Sequence, residues 1–299
     1  MSHQIFQRTQ HRARASSRPA VFRIARPLGV GVGVSECSRA CLIRCIDFPE
    51  LPLRANVRDT LKCGRSSLVV RAEIPFGDRL LPIAYKRFRR RNVWKVVTGA
   101  FKPSRAFRAW KLGHALRAHG IATPRPLFAI VPRALTRTID SYLATDWIDG
   151  FSLNEVTHLV CGLSASERFR GLRTVAATVG SLLGRLHRAG FSHRDLKPSN
   201  VMVAGELMEP STLEALLVDL DGVSRPLRLS RRTKIRNLSR LWIGFGLESA
   251  PRVTCSVQFV QAYLAESGDA HWNWKACWRQ LIEATANRER KRRRKRRAA

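Results

Sequence analysis

Residues 193–200 read His193-Arg194-Asp195-Leu196-Lys197-Pro198-Ser199-Asn200, a polar, proline-bearing segment that holds a carboxylate and a carboxamide five positions apart. The residues upstream predict a long amphipathic helix. Leu172, Val175, Val179, Leu182 and Leu186 recur at intervals of three and four, Ser164 and Glu167 have the spacing of a capping box, and Gly190 marks the stop. Downstream, the segments Phe191 to Val203 and Leu213 to Leu220 read as a loop followed by a β-hairpin, with Asp219 at the end of the second apolar run. A helix, a loop and a hairpin therefore offer Asp195, Asn200 and Asp219 from adjacent segments.

The octet fits H-R-D-x-x-x-x-N, the pattern of a kinase catalytic loop, at every fixed position. Phosphoryl transfer needs a carboxylate to orient the attacking hydroxyl and take its proton, the role read for Asp195. It also needs hard oxygen ligands for Mg2+, the role read for Asn200 and Asp219. Lys197 is placed to neutralise the transferring phosphate. Alone, Asp195 could equally open a surface turn before a strand. The carboxylate in Leu217-Val218-Asp219-Leu220-Asp221-Gly222 decides against that, since it stands where the D-F-G segment of kinases puts one. Asp221 replaces the usual glycine and reads as a second ligand or a helix cap.

Ile83-Ala84-Tyr85-Lys86 resembles the V-A-I-K strand, whose ammonium holds the α- and β-phosphates of ATP. A lysine in a basic strand is ordinarily a solvated charge; its order relative to the later motifs favours the functional reading. Gly64-Arg65-Ser66-Ser67 is the candidate phosphate loop, with Gly64, Ser66 and Ser67 supplying backbone amides and hydroxyls. No Asp or Glu occurs between Arg79 and Ile139, so the helix glutamate that usually pairs with the strand lysine is missing there. Glu73, Asp78 or a phosphate is left to pair with Lys86. Adenine is expected along Ala144 to Ile148, against Asp146 and Ile148, with Trp147 as pocket wall or core.

The strand-like runs Thr60 to Ile74, Leu80 to Phe88, Leu127 to Val131 and Ser141 to Ile148, with a helix over Ser104 to His119, precede the helical half. The expected fold is α+β and two-lobed, protein-kinase-like, with a small antiparallel sheet and a mainly helical second lobe. The expected boundaries are 1–55 for a basic, flexible extension, 56–148 for the first lobe, 149–287 for the second and 288–299 for a basic disordered tail.

The 299 residues carry a net charge of +32. Six arginines and no acid in residues 1–35, with nine basic residues against one acid in 288–297, supply +14 of this and leave +18 on the body. Such a surplus expects an anionic partner. Aromatic-rich RNA motifs and zinc-finger spacing do not occur, so nucleic acid is not the expected partner. No apolar run has the length of a membrane span and the N-terminus lacks the apolar core of a secretory signal, which points to the cytoplasm. The seven cysteines read as reduced thiols. Cys37, Cys41 and Cys45 match no common metal spacing and read as a small apolar helix face.

Taken together, Gly64 to Val69, Tyr85-Lys86-Arg87-Phe88, Ser104 to Trp110, Gly120 to Pro126, the catalytic loop, Val218 to Asp221 and Arg236 to Leu241 resemble the lipopolysaccharide kinase (Kdo/WaaP) family over about residues 58 to 265. The resemblance implies a protein-kinase-like fold and transfer of the ATP γ-phosphate to a Kdo or heptose hydroxyl of the lipopolysaccharide core. It places that reaction at the cytoplasmic face of the inner membrane. Basic ends suit an anionic leaflet, at about 1 kcal/mol per Lys or Arg near the surface. The short segment after Asp219 has no A-P-E element, which disfavours a signalling protein kinase. The alternatives are an atypical protein or small-molecule kinase, and a pseudokinase that binds anionic partners.

Overall fold

The computed structural model describes residues 19–54, 59–64, 66–76, 79–89, 103–133, 140–244, 253–269 and 271–297. The described chain divides into two compact units, one of residues 19–118 and 124–148, the other of 119–123 and 149–297. The fold is α+β, with the antiparallel sheet in the first unit and most of the helix in the second.

The first unit is built on seven strands: β1 (Val21–Arg26), β2 (Gly29–Val34), β3 (Asp59–Cys63), β4 (Ser67–Phe76), β5 (Arg79–Phe88), β6 (Pro126–Pro132) and β7 (Ser141–Asp146). They lie in the order β1-β2-β6-β7-β5-β4-β3, and every neighbouring pair is antiparallel. Helix α1 (Arg39–Asp47) and the single turn α2 (Leu51–Arg54) follow β2, and α3 (Arg105–Ala118) precedes β6. The core between α1 and the sheet holds Leu42, Ile46, Tyr85, Phe128 and Ile130, all fully buried. Tyr85 stacks on Tyr142 with ring centroids 5.7 Å apart.

Residues 21–54 differ from the flexible extension expected over 1–55: Val21–Arg26 and Gly29–Val34 pair as a hairpin and extend the sheet beside β6. The run Gly29-Val30-Gly31-Val32-Gly33-Val34 alternates valine with glycine instead of apolar with polar side chains, and glycine within a strand ordinarily weakens it. Its use is close approach. A Cβ at Gly31 would meet Ile46 at 3.0 Å, with Ile130 and Leu42 at 3.2 Å, so the missing side chain lets α1 lie directly on the strand. Cys37 and Cys45 are buried in this same core.

The second unit contains β8 (Phe151–Ser152), α4 (Leu153–Leu159), α5 (Ala165–Arg188), β9 (Ser192–His193), β10 (Val201–Ala204), β11 (Glu214–Leu217), β12 (Val223–Ser224), α6 (Arg231–Gly244), α7 (Val253–Ser267) and α8 (Trp274–Arg297). The capping box expected at the start of α5 is present: Glu167 N–H donates to Ser164 Oγ at 3.3 Å, and Ser164 N–H donates to Glu167 Oε2 at 3.1 Å. Val175, Val179, Leu182 and Leu186 form the buried stripe, and α5 packs along α7. β10 and β11 form the expected hairpin.

α8 runs through the segment expected to be a disordered tail and ends at Arg297. Its buried residues Cys277, Leu281 and Thr285 recur every four positions and anchor it against α6, so the basic run continues a helix that packing has already nucleated.

Candidate active site

The catalytic loop begins on an element too short to be read from sequence. β9 pairs with β12 so that His193 lies opposite Val223, and Arg194 N–H donates to Gly222 O at 2.8 Å. On the other side, Val218 N–H donates to Asn200 O at 3.1 Å. These two backbone ties hold the loop against the segment bearing Asp219, and they bring Asp195, Asn200 and Asp219 together within the second unit.

Asn200 is buried, and its Nδ2 donates to the carbonyl of Asp195 at 2.8 Å and to Asp195 Oδ2 at 3.4 Å. Lys197 Nζ stands 3.1 Å from the same Asp195 Oδ2. The Asp195 side chain is 62% exposed and so open to an incoming hydroxyl. Asp219 is half-buried and caps the turn 220–222, accepting from Asp221 N–H at 3.4 Å. The cap is therefore Asp219 and not Asp221, which lies inside the turn as the donor of this bond, so the cap role read for Asp221 falls to its neighbour.

His193 is fully buried behind these groups, and its Nδ1 accepts from the N–H of Asp195 at 3.3 Å. Burial pushes its imidazole down to about 4, against the opposing pull of the Asp219 and Asp195 charges, so the ring is neutral at pH 7 and can accept that bond. Gly222 is required by contact: a Cβ on it would stand 2.8 Å from Asp195 N and 2.9 Å from His193 Nδ1.

Sequence reading assigned no role to Asn237 on α6, although it lies in one of the segments that carry the family resemblance. Oriented to satisfy its neighbours, its side-chain nitrogen donates to His193 O at 2.9 Å, and its oxygen accepts from Ser192 Oγ at 3.0 Å and His187 Nε2 at 3.2 Å. His187 Nδ1 then accepts from Tyr263 Oη at 2.9 Å. A buried polar network thus fixes the backbone of His193 from below. Its members come from α5, β9, α6 and α7, and no single local pattern contains it.

Of the other expected site residues, Lys86 lies on β5 in the first unit, opposite Val69 of β4 and Leu143 of β7, with Nζ 4.7 Å from the ring centroid of Phe88. Glu73 stands opposite Pro82, four residues along the strand from Lys86, and Asp78 lies outside the described residues. Gly64 N–H donates to Ser67 O at 3.0 Å, closing the turn between β3 and β4; Arg65 is outside the described residues. Ser66 is exposed and its carbonyl accepts from Arg89 N–H at 3.1 Å and Arg105 at 3.2 Å, whereas Ser67 is buried in the sheet. Asp146 ends β7, with its N–H donating to Arg125 O at 2.9 Å and its Oδ2 accepting from Arg125 Nε at 3.3 Å. Ile148 is buried, and Trp147 lies under the Arg71 guanidinium at 4.7 Å.

Asn200 and Asp219 supply hard oxygen donors, the chemistry Mg2+ takes. Among the described residues no group of three or more His, Cys, Asp and Glu is placed to hold a metal. One carboxylate and one amide fit an ion whose remaining ligands are water and substrate phosphates.

The profile of the lipopolysaccharide kinase (Kdo/WaaP) family matches residues 81–266. Among curated proteins, a probable serine/threonine-protein kinase of Streptomyces coelicolor is 38% identical over 64 residues, and the serine/threonine-protein kinases AfsK of Streptomyces coelicolor and Streptomyces griseus are 41% and 40% identical over 75 residues. These matches take in 21–25% of this chain and span 9% of the length of each relative. Among solved structures, WaaP in complex with acyl carrier protein is similar over 81% of this chain and 90% of that one, with a TM-score of 0.54 and 17% identity, a likeness of fold.

Proposed function

The chain belongs to the lipopolysaccharide kinase (Kdo/WaaP) family, a family of kinases, and from that premise we propose that it transfers the γ-phosphate of ATP to a sugar hydroxyl, Kdo or heptose, of the lipopolysaccharide core. The observation that carries the reading is the convergence of Asp195, Asn200 and Asp219 through the bonds Asn200 to Asp195 and Val218 to Asn200.

In this mechanism Asp195 Oδ2 accepts the proton of the acceptor hydroxyl as the new oxygen–phosphorus bond forms and the bond to the ADP leaving group breaks. Lys197, 3.1 Å from that carboxylate, orients it and reaches the transferring phosphate. Asn200 and Asp219 would hold Mg2+, which when bound neutralises charge on the phosphates. Lys86 binds the α- and β-phosphates, and Asp146 and Ile148 border the adenine site. The family also suggests a peripheral position on the inner face of the inner membrane. Among the described residues no helix is long and apolar enough to cross a membrane, and the exposed basic surface of α8 suits an anionic leaflet.

The test is transfer from labelled ATP with Mg2+ to a panel of lipopolysaccharide cores and to a generic protein, with new phosphate located by mass spectrometry. Phosphate on a core sugar, lost in Asp195→Ala, is expected. Transfer only to protein would replace this reading with that of a protein kinase, and equal nucleotide turnover in both forms would mark a pseudokinase.

A further inference from the structure

Four arginines gather on the Asp195 side of the site. Arg194 is in the catalytic loop itself. Arg236 and Arg240 stand one turn apart on α6, with the Arg240 Nη1 donating to the Arg236 carbonyl at 3.3 Å. Asn237 between them is bonded to both the carbonyl and the N–H of His193, so this turn of α6 is pinned directly under the loop. The fourth comes from α8. Its buried stripe Cys277, Leu281, Thr285 continues to Arg288, which that register turns toward α6.

Arg288, Arg236, Arg194 and the Asp195 carboxylate all lie close enough to act on the charge of Arg240, which is half-buried. Burial and the neighbouring cations lower both Arg240 and Arg288 from the usual guanidinium range, with Arg236 the cation acting on Arg288. Yet arginine does not give up its proton in proteins, so the repulsion persists. Among the described residues none of the four has a carboxylate within ion-pair distance, while Glu289, next to Arg288, is engaged by Arg293 at 3.0 Å. A partly desolvated cation cluster of this kind is stabilised by an anion, and the planar guanidinium fork matches phosphate and carboxylate oxygens two at a time.

We propose that Arg236, Arg240 and Arg288 form a recognition site for an anionic group, a phosphate or a carboxylate, borne by the acceptor next to the hydroxyl that Asp195 deprotonates. Asn237, between Arg236 and Arg240, is bonded to His193, two residues before Asp195, so the cluster lies along the loop whose carboxylate the acceptor must approach, and this assigns the anion to the acceptor. The inference rests on the kinase reading above and adds to it what the acceptor must carry. It also gives the start of the basic C-terminal run a task distinct from that of its exposed end.

The first measurement uses inorganic phosphate on the full chain, without nucleotide or divalent cation, by titration calorimetry. Arg288→Ala and Arg240→Ala are expected to weaken binding roughly ten- to a hundredfold, the loss of a charge-assisted hydrogen bond. Arg288→Lys should recover part of it, and Arg292→Ala and Arg294→Ala on the exposed part of α8 should leave it unchanged. Binding equal to wild type in both alanine variants, with circular dichroism showing them folded, overturns the proposal. The second measurement compares acceptor KM on native core, dephosphorylated core and carboxyl-reduced core. A rise on dephosphorylation identifies phosphate, a rise on reduction identifies carboxylate, and ATP KM should stay constant in either case. Should no core accept phosphate from wild type, the functional reading falls while the calorimetry still decides this one.

Discussion

The N–H of Arg194 donates to the carbonyl of Gly222 at 2.8 Å, so the residue before the carboxylate of the catalytic loop is held by the residue that follows Asp221. The loop and the segment bearing Asp219 thereby become one rigid piece, although 28 positions of sequence separate Arg194 from Gly222.

Gly222→Ala tests this contact. The added Cβ would stand 2.8 Å from Asp195 N and 2.9 Å from His193 Nδ1, and neither atom can move without shifting the loop. A loss of about 1–3 kcal/mol in stability is expected from overpacking. Activity should fall further than stability, because the displaced group is the proposed base. Denaturant unfolding beside a kinase assay checks both, and full activity would show that the loop accommodates the methyl.

Asp195→Asn removes the proposed proton acceptor and keeps the shape of the side chain. Turnover should drop by about 10²–10⁴, with nucleotide affinity unchanged. Asp219→Asn weakens an oxygen ligand instead, so part of its lost activity should return as Mg2+ is raised, and chelation of divalent cations should abolish wild-type turnover. A magnesium series on both variants separates the two roles.

Asn237→Ala leaves Ser192 Oγ and His187 Nε2 without their acceptor and His193 O without its donor. Buried groups left in this state cost about 1–3 kcal/mol each. The variant should unfold at lower denaturant and lose activity although it touches no substrate. Stability equal to wild type would mean that the network does not support the loop.

His187 and His193 are held down at about 3 and about 4, chiefly by burial, with Lys234 adding to the effect on His187. Their folded values lie below the unfolded value of about 6.5. The unfolded chain therefore binds more protons in acid, and the stability these groups contribute is fully present above about pH 6.5 and is lost as pH falls through 4 toward 3. The decline should approach about 1 kcal/mol per pH unit for each histidine. Unfolding midpoints measured from neutral pH into the acid range should show it, with a shallower fall in His187→Gln.

Gly31→Val would drive side-chain atoms into Ile46, Ile130 and Leu42, whose nearest atoms stand 3.0–3.2 Å from even a first carbon. Loss of thermal stability is expected. Removing residues 1–35 should do the same, because it strips β1 and β2 and uncovers β6. An unchanged melting temperature in both would mean that the N-terminal hairpin contributes nothing to the first unit.

Much of the site could be read from sequence because its motifs are local. Asp195 and Asn200 sit within one octet, Asp219 ends an apolar strand, and the capping box and stripe of α5 follow from spacing alone. The β1–β2 hairpin could not, since Gly31 is explained by Ile46 and Ile130, the latter 99 positions away in sequence. The helical course of residues 288–297 was likewise hidden, because nine basic residues against one acid read as a solvated tail until packing of Cys277, Leu281 and Thr285 on α6 extends the helix through them.

The amino-acid sequence by itself determined which groups are candidates for the chemistry, since a carboxylate, an amide and a second carboxylate stand at the spacings of a kinase catalytic loop and metal segment. Only the tertiary structure decided what holds them: Asn237 beneath His193, Gly222 against Asp195, and α8 laid on α6. Each of those pairs joins different secondary-structure elements, and contact between such elements is set by packing and burial rather than by any pattern along the chain.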